Sequence, residues 1–147
     1  MKILKLIPLV LVLSPVSFLA NSTNIYADIQ VTDVAPTQGF IWQRKNKNTM
    51  VYPIEFASSR TQGCAVLSFD ISAGGKTENV EILHSVPNRQ IGIYSRKMLK
   101  KWQWVPAAPA GTLAAEKRTL RLDFCMGGES TAQAEQACKR RAQLACS

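Results

Sequence analysis

The sequence contains one histidine, His84, and its four cysteines form no Cys-x-x-Cys pair. Structural zinc sites need four closely spaced cysteine or histidine ligands, which this chain does not offer. No serine or cysteine nucleophile stands at a recognisable spacing from His84 and an acidic residue. We therefore expect no metal site, no cofactor and no enzymatic activity.

Acidic residues are also scarce: the chain has 10 of them against 18 lysines and arginines, which gives a net charge of +8. A basic balance suits a nucleic acid, an anionic membrane surface or an acidic protein. The positive charges are spread over several segments, and the amino-terminal segment indicates export. We therefore expect a protein partner and no nucleic acid.

The amino-terminal apolar run is short for a membrane span, which normally needs about 20 residues. Residues 1–27 begin with Lys2 and Lys5, and Pro8 and Pro15 interrupt the apolar stretch that follows. This arrangement is typical of a secretory signal peptide. Cleavage would release the mature chain, whereas an uncleaved leader would act as a membrane anchor and give the only expected membrane contact.

All the cysteines follow this leader, and an even number of them fits disulfide bonds in an oxidising compartment. Cys138 and Cys146 would lie about 12 Å apart along a straight helix, so pairing them requires a break in that helix. Either of the other pairings would attach the tail to the rest of the chain. The spacing leaves the choice open among Cys64, Cys125, Cys138 and Cys146.

Residues 28–49 are polar and basic at their end and are predicted to be a linker. Alternating apolar residues then predict strands at 63–71 and 77–84, with the glycines at 74 and 75 in the turn of an antiparallel hairpin. A short helix is expected before the first strand.

The second half of the chain continues with helical periodicity at 89–102, which predicts an amphipathic helix with Trp102 on its apolar face. Pro106 ends this helix, because proline restricts the residue before it and donates no hydrogen bond. Alternation returns at 119–124 and predicts a third strand. The tail at 127–147 is rich in alanine, glutamine and glutamate and favours a helix.

Several short motifs occur in a characteristic order. Tyr52-Pro53 precedes the short helix, Gly63 begins the first strand, and Asn79-Val80 follows the glycine turn. The segment MLKKWQWVPA combines a basic pair, a tryptophan, a second aromatic residue and a proline at fixed spacing, and TLRLDF forms the closing strand. In this order the motifs resemble the TonB C-terminal domain family.

The resemblance implies an α+β fold, in which two helices pack on a three-stranded antiparallel sheet within residues 50–126. The helical tail at 127–147 would be an addition to that fold. TonB proteins carry inner-membrane energy across the periplasm to outer-membrane receptors, and they use an anchor and a long proline-rich spacer. Here the roughly thirty residues between leader and domain span at most about 100 Å, so energy transduction by this chain alone is not expected.

The expected function is therefore a periplasmic protein-binding module linked to TonB-dependent transport across the outer membrane. Its partner would be an outer-membrane receptor or another envelope protein, and an uncleaved leader would place it at the inner membrane, facing the periplasm. In the family, the third strand has a free edge on which a partner's extended segment adds as a further strand. The matching residues are Arg118, Thr119, Leu120, Arg121, Leu122, Asp123 and Phe124, with the two arginines as contacts for acidic residues.

Two further expectations concern the same strand. A solvated edge guarded by charge is the alternative to a binding edge. The strand order of the family also implies that Cys64 and Cys125 meet on the sheet face away from the helices and form a disulfide, which would leave Cys138 and Cys146 as the second pair. The alternative function is a disulfide-stapled structural or assembly component of a cell-envelope complex.

Overall fold

The computed structural model describes residues 24–35, 39–47, 50–109 and 111–147. Its elements in chain order are β1 (Ala27–Ala35), β2 (Trp42–Arg44), α1 (Ile54–Ser58), β3 (Gly63–Ile71), β4 (Thr77–Val86), α2 (Arg89–Leu99), β5 (Trp104–Pro106), β6 (Glu116–Met126) and α3 (Thr131–Arg141). An antiparallel sheet of 4 strands has the order β1-β6-β3-β4, and β2 pairs with β5 in a separate antiparallel ribbon.

The core lies between this sheet and the helices α1 and α2. Alternate residues of β3 and β6 point into it, as the period of two in the sequence predicts. The Phe124 ring packs edge-on against Phe56 of α1, with ring centroids 5.7 Å apart, and against Tyr52 at 5.9 Å. The predicted arrangement of two helices on an antiparallel sheet is confirmed, with one strand more than expected.

Helix α2 begins at an Asn88 cap, whose side chain accepts a hydrogen bond from the N–H of Gln90. Gly92 lets this helix approach β4 closely, because a Cβ there would lie 2.7 Å from Ile82 and 3.0 Å from Ser85. The helix ends at Leu99, earlier than predicted. Trp102 then forms a tight turn, in which its N–H donates to the Leu99 carbonyl.

The fourth strand comes from the segment predicted to be a linker. Residues 28–49 contain β2 and all of β1 except its first residue, Ala27. Ile29 and Val31 alternate with polar neighbours and face the core side, opposite Phe124 and Leu122 of β6. A half-buried strand needs only such a short alternation when a hydrophobic neighbour is already in place.

The tail forms α3, which packs on β1 and β6 from the sheet face opposite α1 and α2. Two disulfides hold it there, Cys64–Cys146 and Cys125–Cys138. The pairing expected from the family's strand order is therefore wrong. Cys64 lies directly opposite Asp123 in the β3–β6 register, so Cys125 is its diagonal neighbour. Diagonal neighbours are about 7–8 Å apart, too far for a disulfide.

None of the helices in the described part of the chain is long and apolar enough to cross a membrane. Residues 1–23, most of the predicted leader, lie outside the described residues. The signal peptide therefore remains a prediction from the sequence.

The shorter disulfide loop gives a direct test of the pairing. We expect the double variant Cys125→Ser/Cys138→Ser to lose about 3 kcal/mol of unfolding free energy. The reason is that the disulfide restricts the loop between these two residues in the unfolded chain. Urea unfolding followed by circular dichroism measures this loss. Peptide mapping of the unmodified protein provides the control, and a Cys64–Cys125 peptide there would contradict the observed pairing.

Because of Tyr52, we expect the unfolding free energy of the protein to depend on pH. Its hydroxyl donates to the Thr61 carbonyl at 2.6 Å, and burial raises the pKa of Tyr52 from 10.0 to about 12, against a smaller opposing effect of Arg141. An acid whose pKa is raised by folding stabilises the fold fully below its unfolded pKa. That contribution is lost as the pH rises from 10.0 towards 12.

We therefore expect the unfolding free energy of the wild type to fall relative to that of Tyr52→Phe across this alkaline range. Parallel urea titrations of both proteins measure the difference, in which the titration of all other groups cancels. A difference that stays constant with pH would contradict the assignment.

Candidate functional site

The predicted binding edge is occupied by the chain itself. β6 pairs with β3 on one side and with β1 on the other, and the β1 register runs from Ala27 opposite Met126 to Asp33 opposite Leu120. The expectation of a free edge at 118–124 is therefore wrong. The physical reason is that β1 supplies apolar side chains for the core at this place.

Arg118, one of the two predicted partner contacts, is only 4% exposed. Its guanidinium pairs with Glu116 at 2.7 Å and donates to the carbonyl of Trp42. It also lies 3.6 Å from the ring centre of Phe40. Arg118 thus holds Phe40 and the start of β2 against β6, and its Nε and Nη2 groups donate hydrogen bonds within the chain.

Arg121, the other predicted contact, serves the tail in the same way. It forms a two-pronged hydrogen-bonded ion pair with Asp123, at 2.8 and 2.7 Å, and the Asp123 side chain is fully buried. Its remaining donors reach the carbonyls of Leu144 and Arg141 at the end of α3. The other predicted site residues are Leu120, Leu122 and Phe124 in the core, and Thr119, which is half-buried.

The direction of the backbone groups on β6 follows from two hydrogen bonds beside its end. The N–H of Met126 donates to the Gln62 side chain, which precedes β3. The N–H of Gly127 donates to the carbonyl of Tyr26, which precedes β1. Because successive residues point their backbone groups to opposite sides, the odd-numbered residues of β6 face β1.

The same alternation of backbone direction shows which residues of β1 point their N–H and C=O groups away from β6. The register pairs its even-numbered residues with odd-numbered residues of β6, so these two sets exchange hydrogen bonds. The odd-numbered residues must then direct their N–H and C=O groups away from the sheet. No strand in the described part of the chain pairs with this outer side, which is formed by Ile29, Val31 and Asp33.

The opposite edge of the sheet, on β4, is less suited to pairing. Its register with β3 is irregular at two places, and Asn79 has a positive φ of 50°. Such irregularities bend a strand away from a flat edge. Glu78, Glu81 and His84 are exposed along it, and edge charges discourage further strands. The more regular edge is therefore that of β1, whose register is continuous from Ala27 to Asp33 and shifts only after it.

A groove runs beside the β1 edge and is formed by two cavities of 410 and 340 Å³. They adjoin, since both are lined by Val31, Arg44 and Lys47. Below we call this pair of cavities the β1 groove. The larger cavity falls in the range of roughly 300–1,000 Å³ that is typical of binding sites. Its walls include aromatic and aliphatic side chains, namely Phe40, Trp42, Trp102, Trp104 and Leu120.

Charged groups of both signs line the β1 groove. The Arg44 guanidinium lies 4.5 Å from the centre of the Trp102 ring, and burial lowers the pKa of Arg44. Burial raises the pKa of the Asp33 carboxyl, while Arg118 acts against this shift. Burial likewise raises the pKa of Asp28 at the other end. The centre of the groove is basic and its two ends are acidic.

A family model described as Gram-negative bacterial TonB protein C-terminal matches residues 48–125, more than half of the chain. The chain belongs to the TonB C-terminal family. Among characterised relatives, Protein TonB of Pseudomonas aeruginosa is 28% identical over 74 residues, which are 50% of this chain and 22% of that protein. The chain thus matches about a fifth of that TonB protein's length.

The solution NMR structure of the Pseudomonas aeruginosa TonB C-terminal domain has the same fold, with a TM-score of 0.54 and 21% sequence identity. The alignment covers 64% of this chain and 95% of that domain. In this TonB-family chain, β1 and β2 precede the residues that match the family model. The β1 edge and much of the β1 groove are therefore built outside the matched segment.

A substitution of Arg118 tests how the amino-terminal segment is held against β6. We expect Arg118→Met to lower the unfolding free energy by about 3 kcal/mol, because it leaves the Glu116 carboxylate and the Trp42 carbonyl without their buried donor. Urea unfolding measures the loss. Lys117→Gln is the matched control on an exposed neighbour and should leave stability unchanged, so equal losses in the two variants would contradict the role given to Arg118.

Proposed function

We propose that this chain is a protein-binding module of the cell envelope, and that it binds an extended partner segment as an added strand on the outer edge of β1. Domains of this family are interaction modules and not enzymes. The observation that carries the proposal is the edge of β1, regular up to Asp33 and unpaired among the described residues, with its outward N–H and C=O groups beside an apolar groove. In strand addition, such backbone groups provide affinity and adjoining pockets provide selectivity.

The periplasm is the compartment that we propose for this function. All four cysteines are in disulfides, which form and persist in oxidising compartments. The signal peptide predicted at 1–27 and the family membership agree with export. A link to TonB-dependent transport across the outer membrane belongs to the same proposal, with an outer-membrane receptor or another envelope protein as the partner.

The family's own mode, addition to the strand at Arg118–Phe124, is the alternative geometry. It would require the partner to replace β1, and so to uncover Ile29, which is 7% exposed in the structure. Exposing a buried side chain of this size costs about 2 kcal/mol, and the backbone hydrogen bonds of the β1–β6 ladder would have to be exchanged as well. Addition to the outer edge avoids both costs, and for this reason we favour it.

A structural role for the tail is the second candidate function. Two disulfides fix α3 on the sheet, and Leu144 beyond it is 66% exposed. Because the tail is held covalently on the sheet, Leu144 is presented at a fixed place for contact within a larger complex. Loss of partner capture after Leu144→Ser, with strand addition unaffected, would favour this role.

Amide hydrogen exchange measured by NMR tests strand addition directly. The probe is a peptide of about eight residues, the length of an ordinary strand, in which valine alternates with threonine or glutamate. We expect slower exchange at the outward amides of Ile29 and Val31 after the peptide is added, because new backbone hydrogen bonds protect them. The inward amides of Gln30 and Thr32 should keep the protection that pairing with β6 already gives them.

Two peptides with the same sequence but N-methyl groups on opposite edges provide the matched control. Methylation of the edge that faces β1 should abolish protection, whereas methylation of the other edge should preserve it. Loss of protection at Gln30 and Thr32 would instead indicate replacement of β1. No change at any β1 amide would contradict strand addition altogether.

A further inference from the structure

Arg44 has no acidic partner. All 10 acidic residues of the chain lie within the part that the structure describes, and none of the ion pairs there includes Arg44. Among the described residues, its guanidinium donates a hydrogen bond to the weak acceptor Met50 Sδ, 3.8 Å from Nη1. A half-buried guanidinium without a carboxylate loses hydration without full compensation. Arg118, a buried arginine that lines the larger cavity of the same groove, is by contrast paired with Glu116.

The position of Arg44 makes its lack of an acidic partner relevant to binding. Arg44 lines both cavities of the β1 groove, together with Val31 of the open edge and the exposed Lys47. A strand added along that edge would direct every second side chain towards these groups. The apolar walls formed by Trp42 and Trp104 lie next to Arg44 in the larger cavity. An acidic and a large apolar side chain would therefore find partners side by side.

The acidic ends of the groove restrict where such an acid can be placed. Asp33 lines one end, and Asp28 and Glu135 line the other. A carboxylate placed at either end would meet like charges, which weakens binding. A carboxylate at the centre would meet Arg44 and Lys47, and the planar guanidinium can bind both of its oxygens.

We propose that Arg44 is the specificity-determining residue of the β1 groove, and that it selects an extended protein segment with one central acidic side chain beside a large apolar one. The inference rests on the proposed strand addition and names the chemistry of the partner. It is a property of residues that precede the family match, because Arg44 and Trp42 lie before residue 48.

The test uses two peptides of the strand-forming type described above, which differ only in a central glutamate or glutamine. We expect the unmodified protein to bind the glutamate peptide about tenfold more tightly, the effect of one charge-assisted hydrogen bond. The Arg44→Gln variant should lose this preference, and it should bind the glutamine peptide as tightly as the unmodified protein does. Lys97→Gln, an exposed change on α2 away from the groove, should retain the preference. Isothermal titration calorimetry measures all the affinities.

A third peptide, with glutamates at both ends and glutamine at the centre, tests the positional rule. We expect it to bind more weakly than the central-glutamate peptide, because its carboxylates lie beside Asp28 and Asp33. Equal affinity of the unmodified protein for the central glutamate and glutamine peptides, with the β1 amides protected in both, would overturn the role of Arg44 and leave strand addition standing.

A short probe tests the role of Arg44 in the case that strand addition itself fails. The amide of N-acetyl-phenylalanyl-glycyl-glutamate is too short to form a strand, but it carries the two side chains that the groove is expected to bind, at the spacing at which both face the same side of an extended segment. Shifts of the Trp42 and Trp102 indole NMR signals in the unmodified protein, absent in Arg44→Gln, would support the role of Arg44 even if no longer peptide protects β1. The absence of such shifts in the unmodified protein would overturn it.

Discussion

The pairing of β1 with β6 is the interaction on which the rest of this structure depends. It closes the edge that the family's core sheet would leave open, and it moves the open edge outward by one strand. The next strand in the chain, β2, pairs with β5, and both strands line the groove beside β1. The pairing of β1 with β6 also widens the sheet face on which α3 packs. One amino-terminal strand thus decides which edge of the sheet is left unpaired in the described part of the chain.

Two arginines of β6 attach earlier and later parts of the chain to that strand. Arg118 reaches towards the segment before β2, and Arg121 reaches towards the end of the tail. Because β6 side chains alternate between faces, neighbouring even and odd positions can serve opposite sides of the sheet. The positive charges that suggested recognition of an acidic partner are therefore used for internal cohesion. Arg44, which no pattern in the sequence singled out, has no acidic partner of its own.

The sequence predicts the central fold well, because strong local signals and burial agree there. The alternation in β3, the glycine turn after it and the periodicity of α2 each specify one structure, and the family motifs fix their order. β1 was missed because Ile29 and Val31 are its only clear core-facing signals, among polar residues that resemble a linker. Its alternation was present in the sequence, but its neighbour on the sheet was not deducible from it.

The disulfide pairing shows a different limit. The parity of Cys64 and Cys125 on β3 and β6 follows from alternation, but a shift of register by two residues preserves parity and changes the partner. Only the observed register, with Cys64 opposite Asp123, excludes the direct bond. The groove was unpredictable for a similar reason, since it joins residues from β1, β2 and β5 that no local pattern connects.

The covalently held tail has a consequence for the water around Asp123. This carboxylate has no exposed surface in the folded protein, and it lies on the sheet face that α3 covers. The bond between Cys125 and Cys138 keeps that cover in place next to it. Reduction of this bond would loosen that cover, and we expect water then to reach the ion pair between Asp123 and Arg121 more readily.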